Sequence, residues 1–255
     1  MLKNKIRKNR NQSLKTTIMT TLVRIAITLL LALLVSSCIS FGEGKRGNGV
    51  IADETRKVTE NFTEISASEG LDVFVTQDDE FKISIEADEN IIELIGTDIE
   101  DGKLRIHAIE NIGRATKNIY VSLPEITALK SSSGADLIVQ NEITSQKLTV
   151  EASSGSDIEV EVVASEIEAD ASSGADIIIS GQTDLLYADA SSGADIKAKG
   201  LTAKRCNADA SSGSDISINV SESLTADVSS GADISYSGDP KVTAKKSVSG
   251  SVRKY

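Results

Sequence analysis

Six aspartates recur at one position of a short repeated sequence, and carboxylates at regular spacing can bind cations or act as acids and bases. Each aspartate follows, by two residues, the glycine of a Ser-Ser-Gly-(Ala/Ser)-Asp copy. The glycines are 21, 19, 19, 20 and 18 residues apart, and a fixed period near 20 residues is typical of a solenoid of stacked units. The aspartates are Asp136, Asp157, Asp176, Asp195, Asp215 and Asp233.

The residues around each glycine indicate what kind of solenoid this is. Apolar and polar residues alternate on both sides of the glycine, which predicts strands with one apolar face. Large apolar residues stand three positions after the glycine, whereas alanine dominates three and five positions before it. All length variation falls midway between successive glycines. We therefore predict an all-β fold, a single-stranded β-helix (β-solenoid) with rungs of about 19–20 residues, one fixed corner and one tolerant corner.

Stacked rungs, about 4.8 Å apart, turn each repeat position into a column. The six aspartates form one acidic column, called here the plus-two ladder. A second, the minus-four ladder, lies four residues before each glycine and comprises Glu151, Asp170, Asp189, Asp209 and Asp227. Neighbouring like charges at this spacing repel by about 1 kcal/mol in water.

Two interpretations of the plus-two ladder remain open. Each aspartate can accept hydrogen bonds from backbone N–H groups at the glycine corner, as in Asx-turns. Alternatively, the ladders bind Ca²⁺ or another hard cation, or a glycan. The GGxGxDxUx nonapeptide of calcium-binding β-rolls is absent, so we favour the corner role and expect no metal site.

The composition of the repeats argues against an enzyme. Catalytic serines need a base, and the one histidine, His107, lies outside the repeats, where we expect it on a strand surface. The chain has no Trp, four Tyr and four Phe, a poor stock of sugar-stacking rings. We expect no catalytic residue and no cofactor. A β-helical carbohydrate-active enzyme that uses paired carboxylates is the less favoured alternative.

The N-terminus predicts export. Seven basic residues and no acidic ones precede an apolar run of eleven residues, 25–35, which is too short to span a bilayer. We interpret residues 1–37 as a signal peptide. Val35-Ser36-Ser37-Cys38 resembles the bacterial lipobox, and this resemblance implies that Cys38 is acylated. The expected location is the cell envelope, as an outer-membrane lipoprotein held through an N-terminal lipid anchor.

The net charge excludes one class of partner, and the cysteine content excludes a disulfide in the mature chain. Removal of residues 1–37 takes away seven of 27 basic residues and none of the 38 acidic ones, which leaves a net charge of −18. Such a charge argues against nucleic acid as a partner. Cys206 is then left without a disulfide partner. It stands in an apolar column seven residues before its glycine, and we expect a buried, inert thiol.

We divide the rest of the chain into three parts. Residues 38–50 are glycine-rich and form a predicted tether. Residues 51–127 are the irregular N-terminal part of the solenoid, and residues 128–255 are the regular repeat. Within the irregular part, residues 66–73 look like a degenerate early copy of the repeat, and residues 89–95 suggest one or two helical turns.

These features together resemble a known family. The lipobox, the Gly70-Leu71-Asp72-Val73 sequence and the Ser-Gly-(Ala/Ser)-Asp repeats ending in Pro240-Lys241-Val242 are similar to the "putative auto-transporter adhesin, head GIN domain" family. Gly-Leu-Asp stands here where that family has Gly-Ile-Asn. The resemblance covers roughly residues 55–250. It implies a β-helical surface domain with a binding, adhesion or structural role toward an envelope protein or glycan.

Overall fold

The computed structural model describes Arg24, residues 44–247 and residues 249–255. The chain divides into two compact units, Met1–Gly44 and Lys45–Tyr255, and the second contains all the repeats. The predicted signal peptide and Cys38 lie outside the described residues. No helix in the described part of the chain is long and apolar enough to cross a membrane.

The unit Lys45–Tyr255 is a β-solenoid of about seven turns with rungs of about 19 residues, which confirms the predicted fold. Its irregular part contains β1 (Ile51–Arg56), β2 (Glu64–Ala67), β3 (Asp72–Gln77), β4 (Lys82–Asp88), β5 (Ile95–Glu100), β6 (Lys103–Ala108) and β7 (Lys117–Leu123). Its regular part contains β8 (Ala128–Ser132), β9 (Asp136–Val139), β10 (Ile143–Ser153), β11 (Asp157–Ser172), β12 (Asp176–Ala190), β13 (Asp195–Ala210), β14 (Asp215–Val228), β15 (Asp233–Ser237), β16 (Lys241–Lys246) and β17 (Ser251–Lys254).

The regular rungs stack in parallel with the predicted columns in register. Asp157 pairs with Asp176 and Asp189 pairs with Asp209, for example. Residues before each glycine form one arm of the rung, here the minus arm. Residues after it form the plus arm. Both acidic ladders therefore exist as continuous columns, one on each arm.

A tight turn joins the two arms at the fixed corner. Ser173 and Gly174 have φ angles of 55° and 72°, and the Ala175 N–H donates to the Ser172 carbonyl at 3.3 Å. Two central residues with positive φ define a type I′ turn, which the glycine adopts without steric cost. The Gly174 N–H donates to the Ser192 carbonyl of the next rung at 3.2 Å. Each corner is thus closed by a hydrogen bond of its own and is also hydrogen-bonded to the corner of the next rung.

Small residues let the arms approach one another beside this corner. Ala171 and Ala190 of the minus arm are 3% and 0% exposed, and Ile177 and Ile196 of the plus arm are both 0% exposed. The apolar columns predicted from the alternation are therefore the core. Length differences between rungs fall at the opposite corner, as predicted, where the pairing of β12 with β13 shifts after Ile178.

The irregular part does not stack in chain order. β3 lies between β7 and β9, so the segment from β4 to β7 lies on the side of β3 away from the repeats. There β4 runs antiparallel to β7 and to β1, and β5 runs antiparallel to β6. The predicted helical segment is a single 3₁₀ turn, Ile92–Leu94. These elements close the N-terminal end of the solenoid.

The predicted early copy of the repeat is confirmed. Glu69 and Gly70 have φ angles of 64° and 68°, like the two central residues of each regular corner. The Gly70 N–H donates to the Ser133 carbonyl at 3.1 Å, and Asp72 pairs with Asp136. The first corner therefore stacks directly on the regular ones.

Residues 45–50, at the end of the predicted tether, lie against the irregular part. The Lys45 N–H donates to the Asn111 carbonyl at 2.9 Å. The carboxylate of Asp88, which is 3% exposed, accepts hydrogen bonds from the N–H groups of Gly49 and Thr116. The buried carboxylate of Asp88 thus connects the end of the predicted tether, at Gly49, to the residue before β7, Thr116.

Candidate functional site

The plus-two ladder is one residue longer than the repeats predict. Asp72 pairs with Asp136 and so extends the ladder at its N-terminal end, whereas Ser251 of the last rung pairs with Asp233 and ends it. Asp72 was missed as a ladder member because its triplet, Gly-Leu-Asp, lacks the two serines of the other copies. The matching spacing of glycine and aspartate was the available signal.

The structure contradicts the predicted corner role of the plus-two aspartates. Among the described residues, none of their carboxylates accepts a backbone N–H from the corner. The corner N–H groups bond to carbonyls instead, and the aspartate's own N–H does too: Asp176 N–H donates to the Ser156 carbonyl at 3.1 Å. Stacking of the rungs satisfies these donors, so the carboxylates project outward from the plus arm.

One lysine partly neutralises the plus-two ladder. Lys197 Nζ lies 2.6 Å from Asp176 Oδ2 and 3.7 Å from Asp195 Oδ2. Partial burial, followed by repulsion from neighbouring aspartates, raises the pKa of Asp136 and of Asp215 above the ordinary value. The repulsion expected from the spacing is therefore present in the folded protein.

The minus-four ladder carries a lysine at each end. Register places Lys130 before Glu151, and Lys245 after Asp227. Lys130 Nζ lies 2.9 Å from Glu151 Oε1, and Lys245 Nζ lies 2.7 Å from Asp227 Oδ2. Sequence reasoning missed both lysines, although Lys130 stands four residues before Gly134 of the first Ser-Ser-Gly copy, so the spacing was an available signal. Lys245 belongs to no Ser-Ser-Gly copy, and only the register reveals it.

The middle of the minus-four ladder has no such partner. Asp170, Asp189 and Asp209 form no ion pair with a described lysine or arginine. Burial, followed by repulsion from neighbouring carboxylates, raises the pKa of Asp170 and of Asp189. This stretch of the ladder is uncompensated negative charge on an otherwise regular sheet surface.

A shallow open concavity of about 480 Å³ lies over this stretch. Beside the acidic residues, its lining includes Tyr187, Asn207 and Thr225. On three successive rungs, each of these stands two residues before the aspartate of the minus-four ladder. Tyr187 is 40% exposed. The face therefore offers an aromatic ring, an amide and a hydroxyl next to a row of carboxylates.

Neither ladder gathers its carboxylates around one point. Within residues 44–247 and 249–255, no group of three or more His, Cys, Asp or Glu side chains could hold a metal ion. The carboxylates are strung out one rung apart. The role of the six plus-two aspartates as a binding ladder stays a prediction.

The two side chains with the most reactive chemistry both lie apart from the ladders. His107 lies on the outer face of β6, as predicted. Its side chain is only 14% exposed, and its Nδ1 is 3.5 Å from Asp98 Oδ2. Cys206 is 2% exposed, so its predicted burial is confirmed, and burial raises the pKa of its thiol to about 12. The inertness of this thiol stays a prediction.

Comparison with solved structures supports the fold. A "putative adhesin" from Bacteroides fragilis is 18% identical with a TM-score of 0.75, over 83% of this chain and 100% of that one. A "putative lipid binding protein" from Parabacteroides distasonis is 20% identical with a TM-score of 0.70, over 82% and 98%. A "putative adhesin" from Parabacteroides merdae is 19% identical with a TM-score of 0.64, over 82% and 98%. At these identities the likeness concerns the fold alone.

Comparison with family models gives the assignment. No curated protein matches the chain. The family described as "Putative auto-transporter adhesin, head GIN domain" matches residues 61–240, which include all six Ser-Ser-Gly corners and the early copy. The chain belongs to this family.

Proposed function

We propose that the protein is a lipid-anchored protein of the cell envelope and that one face of its solenoid binds a partner without catalysis. The observation that carries this proposal is the uncompensated middle of the minus-four ladder, Asp170, Asp189 and Asp209, under an open concavity. The family description, an adhesin head domain, agrees with a binding role at a surface.

The chemistry of this face favours a partner that presents ammonium or guanidinium groups. The protein's own lysines already occupy both ends of the ladder, at ion-pair distance from Glu151 and Asp227. Rungs about 4.8 Å apart offer further carboxylates to an extended chain with cationic groups. Tyr187 adds a partly exposed ring on which an apolar portion or a cation can pack.

Several features oppose catalysis. An acid–base pair needs two carboxylates with different environments, but Asp170, Asp189 and Asp209 stand at equivalent positions of successive rungs and none has an ion-pair partner among the described residues. The concavity is shallow and open, so it excludes little water. The thiol of Cys206 is buried, and His107 lies outside the repeats.

A comparison of the two ladders tests the binding face. We would immobilise the protein, expose it to solubilised envelope fractions, and compare two triple variants. Asp170→Asn/Asp189→Asn/Asp209→Asn should abolish capture of a partner that the parent protein retains. The matched control, Asp157→Asn/Asp176→Asn/Asp195→Asn on the plus arm, should retain it. Equal loss in both variants would contradict a specific face.

An activity measurement tests the non-catalytic part of the proposal. Incubation of the protein with an acidic polysaccharide such as polygalacturonate should release no reducing ends. Release that is lost in either triple variant would instead support the carbohydrate-active alternative.

The anchor is tested at Cys38. The Cys38→Ala variant should move from the membrane fraction to the soluble fraction, because the proposed acylation site is gone. Cys206→Val serves as the control, because it removes the other cysteine and should stay with the membrane. An unchanged membrane fraction for Cys38→Ala would contradict the lipid anchor.

A further inference from the structure

The two ends of the solenoid differ in how they are closed. At the N-terminal end, the 3₁₀ turn and β5 cover the core, and Ile91 and Ile95 are 0% and 2% exposed. At the C-terminal end, β16 and β17 have a described neighbouring strand on one side only. Val242 of β16 is 36% exposed, although Leu224 in the same column of the previous rung is 1% exposed.

The free edge of β16 presents unpaired backbone groups. The Ser247 N–H donates to the Val228 carbonyl of β14. In a parallel strand, successive residues direct their N–H and C=O groups to opposite sides. Val242 and Ala244 therefore direct theirs away from β14. An edge of this kind is a template for pairing with another strand.

Among the described strands, β5 pairs with β6 alone, so a second free edge lies on the same arm at the other end of the solenoid. The Ile109 N–H donates to the Leu94 carbonyl, in line with the β5–β6 ladder. By the same alternation, Thr97 and Ile99 of β5 direct their backbone groups away from β6. β5 runs antiparallel to β6, and hence opposite in direction to β16 along the minus arm.

The two edges carry opposite charges. Residues 241–255 contain five basic side chains and no acidic one: Lys241, Lys245, Lys246, Arg253 and Lys254. Residues 93–102, which include β5, contain four acidic side chains and no basic one: Glu93, Asp98, Glu100 and Asp101. Complementary charge of this kind selects one pairing of ends over the others.

We propose that copies of this chain associate head to tail, with β16 of one copy pairing antiparallel to β5 of the next. Val242 and Ala244 then face Thr97 and Ile99 on the core side, and Lys241 faces the acidic outer side of β5. Tail-to-tail pairing would instead bring two basic edges together. Because the two contacting surfaces differ and lie at opposite ends of the solenoid, each association leaves a free edge at either end, and further copies add to form a linear stack.

Lysines on an edge strand often discourage association, so the apolar residues of β16 matter to the inference. If the only role of β16 were to prevent association, it would not need apolar residues at core positions. Val242 and Ala244 occupy such positions and extend the apolar columns by one exposed rung. The proposal is independent of the binding face on the minus-four ladder. Each can therefore fail without the other.

Site-specific cross-linking tests the direction of association. Two full-length proteins would be prepared on a Cys38→Ser background, one with Thr243→Cys and one with Glu100→Cys. The remaining native thiol, Cys206, is buried. With a short bismaleimide, the mixture should give cross-linked dimers, whereas each protein alone should give at least tenfold less. Cross-linking of Thr243→Cys alone would overturn the proposal in favour of symmetric pairing.

Sedimentation velocity tests the association itself. The weight-average mass of the Cys38→Ser protein should rise with protein concentration and fall with added salt, because screening weakens the charge pairs. Ala244→Pro should abolish the rise without lowering the melting temperature, because the N–H that proline removes faces the free edge. Lys241→Glu should weaken association, and mixing it with Glu100→Lys should restore it. A monomer at every concentration would overturn the proposal.

Discussion

The irregular N-terminal part and the regular repeat use different means to stabilise one continuous core. In residues 45–127, large single side chains and one buried carboxylate make contacts that occur once. In residues 128–255, small side chains and a hydrogen-bonded corner recur on every rung. The stability of the first region therefore depends on individual residues, whereas that of the second is spread over many equivalent contacts.

The largest expected effect follows from Phe62, which is 1% exposed and packs against Phe81 with 5.3 Å between ring centroids. Phe62→Ala should lower the free energy of unfolding by about 3–5 kcal/mol, because it leaves a cavity that no repeated contact compensates. Chemical denaturation would measure it. The matched control is Phe74→Ala, which removes a half-buried ring stacked on Tyr120. Equal losses would contradict the dependence on buried single side chains.

Asp88 tests the other unique contact. Asp88→Ala removes the acceptor of two partly buried hydrogen bonds, from the N–H groups of Gly49 and Thr116, and each lost bond should cost about 0.5–1.5 kcal/mol. Thermal unfolding should show the loss, and hydrogen exchange at Thr116 should accelerate. Asp53→Ala, on the exposed face of β1, should change neither. Unaltered exchange at Thr116 in Asp88→Ala would show that this carboxylate does not hold the segment.

The repeat should respond less to a change at a single corner. Gly174 has a φ of 72°, and a Cβ added there would meet open space, so Gly174→Ala should cost only the conformational penalty, about 1–2 kcal/mol. Gly181, at the opposite corner, has a φ of 109°, and a Cβ there would collide with the Val162 carbonyl. Gly181→Ala should therefore cost more. The reverse order in thermal unfolding would mean that the fixed corner is the tighter one.

Sequence reasoning worked where the chain repeats itself. Six copies of one corner predicted the fold, the period, the apolar columns and the burial of Cys206. A residue that is ambiguous in one copy can be assigned by comparison with the same position in the other copies. The irregular part offered no such redundancy. Its early copy of the repeat could be recognised, but the antiparallel pairing of β4 and the position of β3 between β7 and β9 depend on contacts between residues far apart in the chain.

The candidate site was predictable in position but not in chemistry. The columns of carboxylates follow from the spacing. The assignment of corner N–H groups to aspartate oxygens was wrong because a single repeat was considered, whereas stacked rungs offer carbonyl acceptors such as that of Ser156. Lys245 joins the minus-four ladder only through register, which no local pattern encodes, whereas Lys130 could have been found from its place four residues before Gly134.

The ladders should make the repeat more stable in mild acid than at neutral pH. The pKa values of Asp136, Asp170, Asp189 and Asp215 are raised above the ordinary 3.8. A raised pKa means that the folded state binds protons before the unfolded state does, so stability rises as the pH falls through the raised values toward 3.8. The melting temperature should therefore increase over this window.

Two exposed aspartates oppose this trend weakly. Hydrogen bonds with Lys204 and Lys254 lower the pKa values of Asp184 and Asp239, but both groups are solvent-exposed and screened. Asp189→Asn serves as the control, because it removes one source of repulsion and should flatten the rise. A melting temperature that falls steadily from pH 7 to pH 4 would contradict repulsion within the ladders.

The smallest expected effect concerns Asp176. Among the described residues, its carboxylate bonds only to Lys197, and both side chains are partly exposed. Asp176→Asn and Asp176→Ala should therefore each cost less than about 1 kcal/mol. A corner acceptor would behave differently, since asparagine would retain the bond and alanine would lose about 1 kcal/mol more. Thermal unfolding of the two variants side by side separates these cases.

Calcium titration completes the test of this ladder. A cation that binds only the folded state must raise the melting temperature with its concentration. Because the plus-two carboxylates stand one rung apart and do not converge, millimolar Ca²⁺ should raise it no more than NaCl of equal ionic strength. A larger rise that disappears in Asp176→Asn/Asp195→Asn/Asp215→Asn, and persists in Asp170→Asn/Asp189→Asn/Asp209→Asn, would place a cation site on the plus arm. It would also show that the repeat, like the N-terminal part, depends on one particular set of residues.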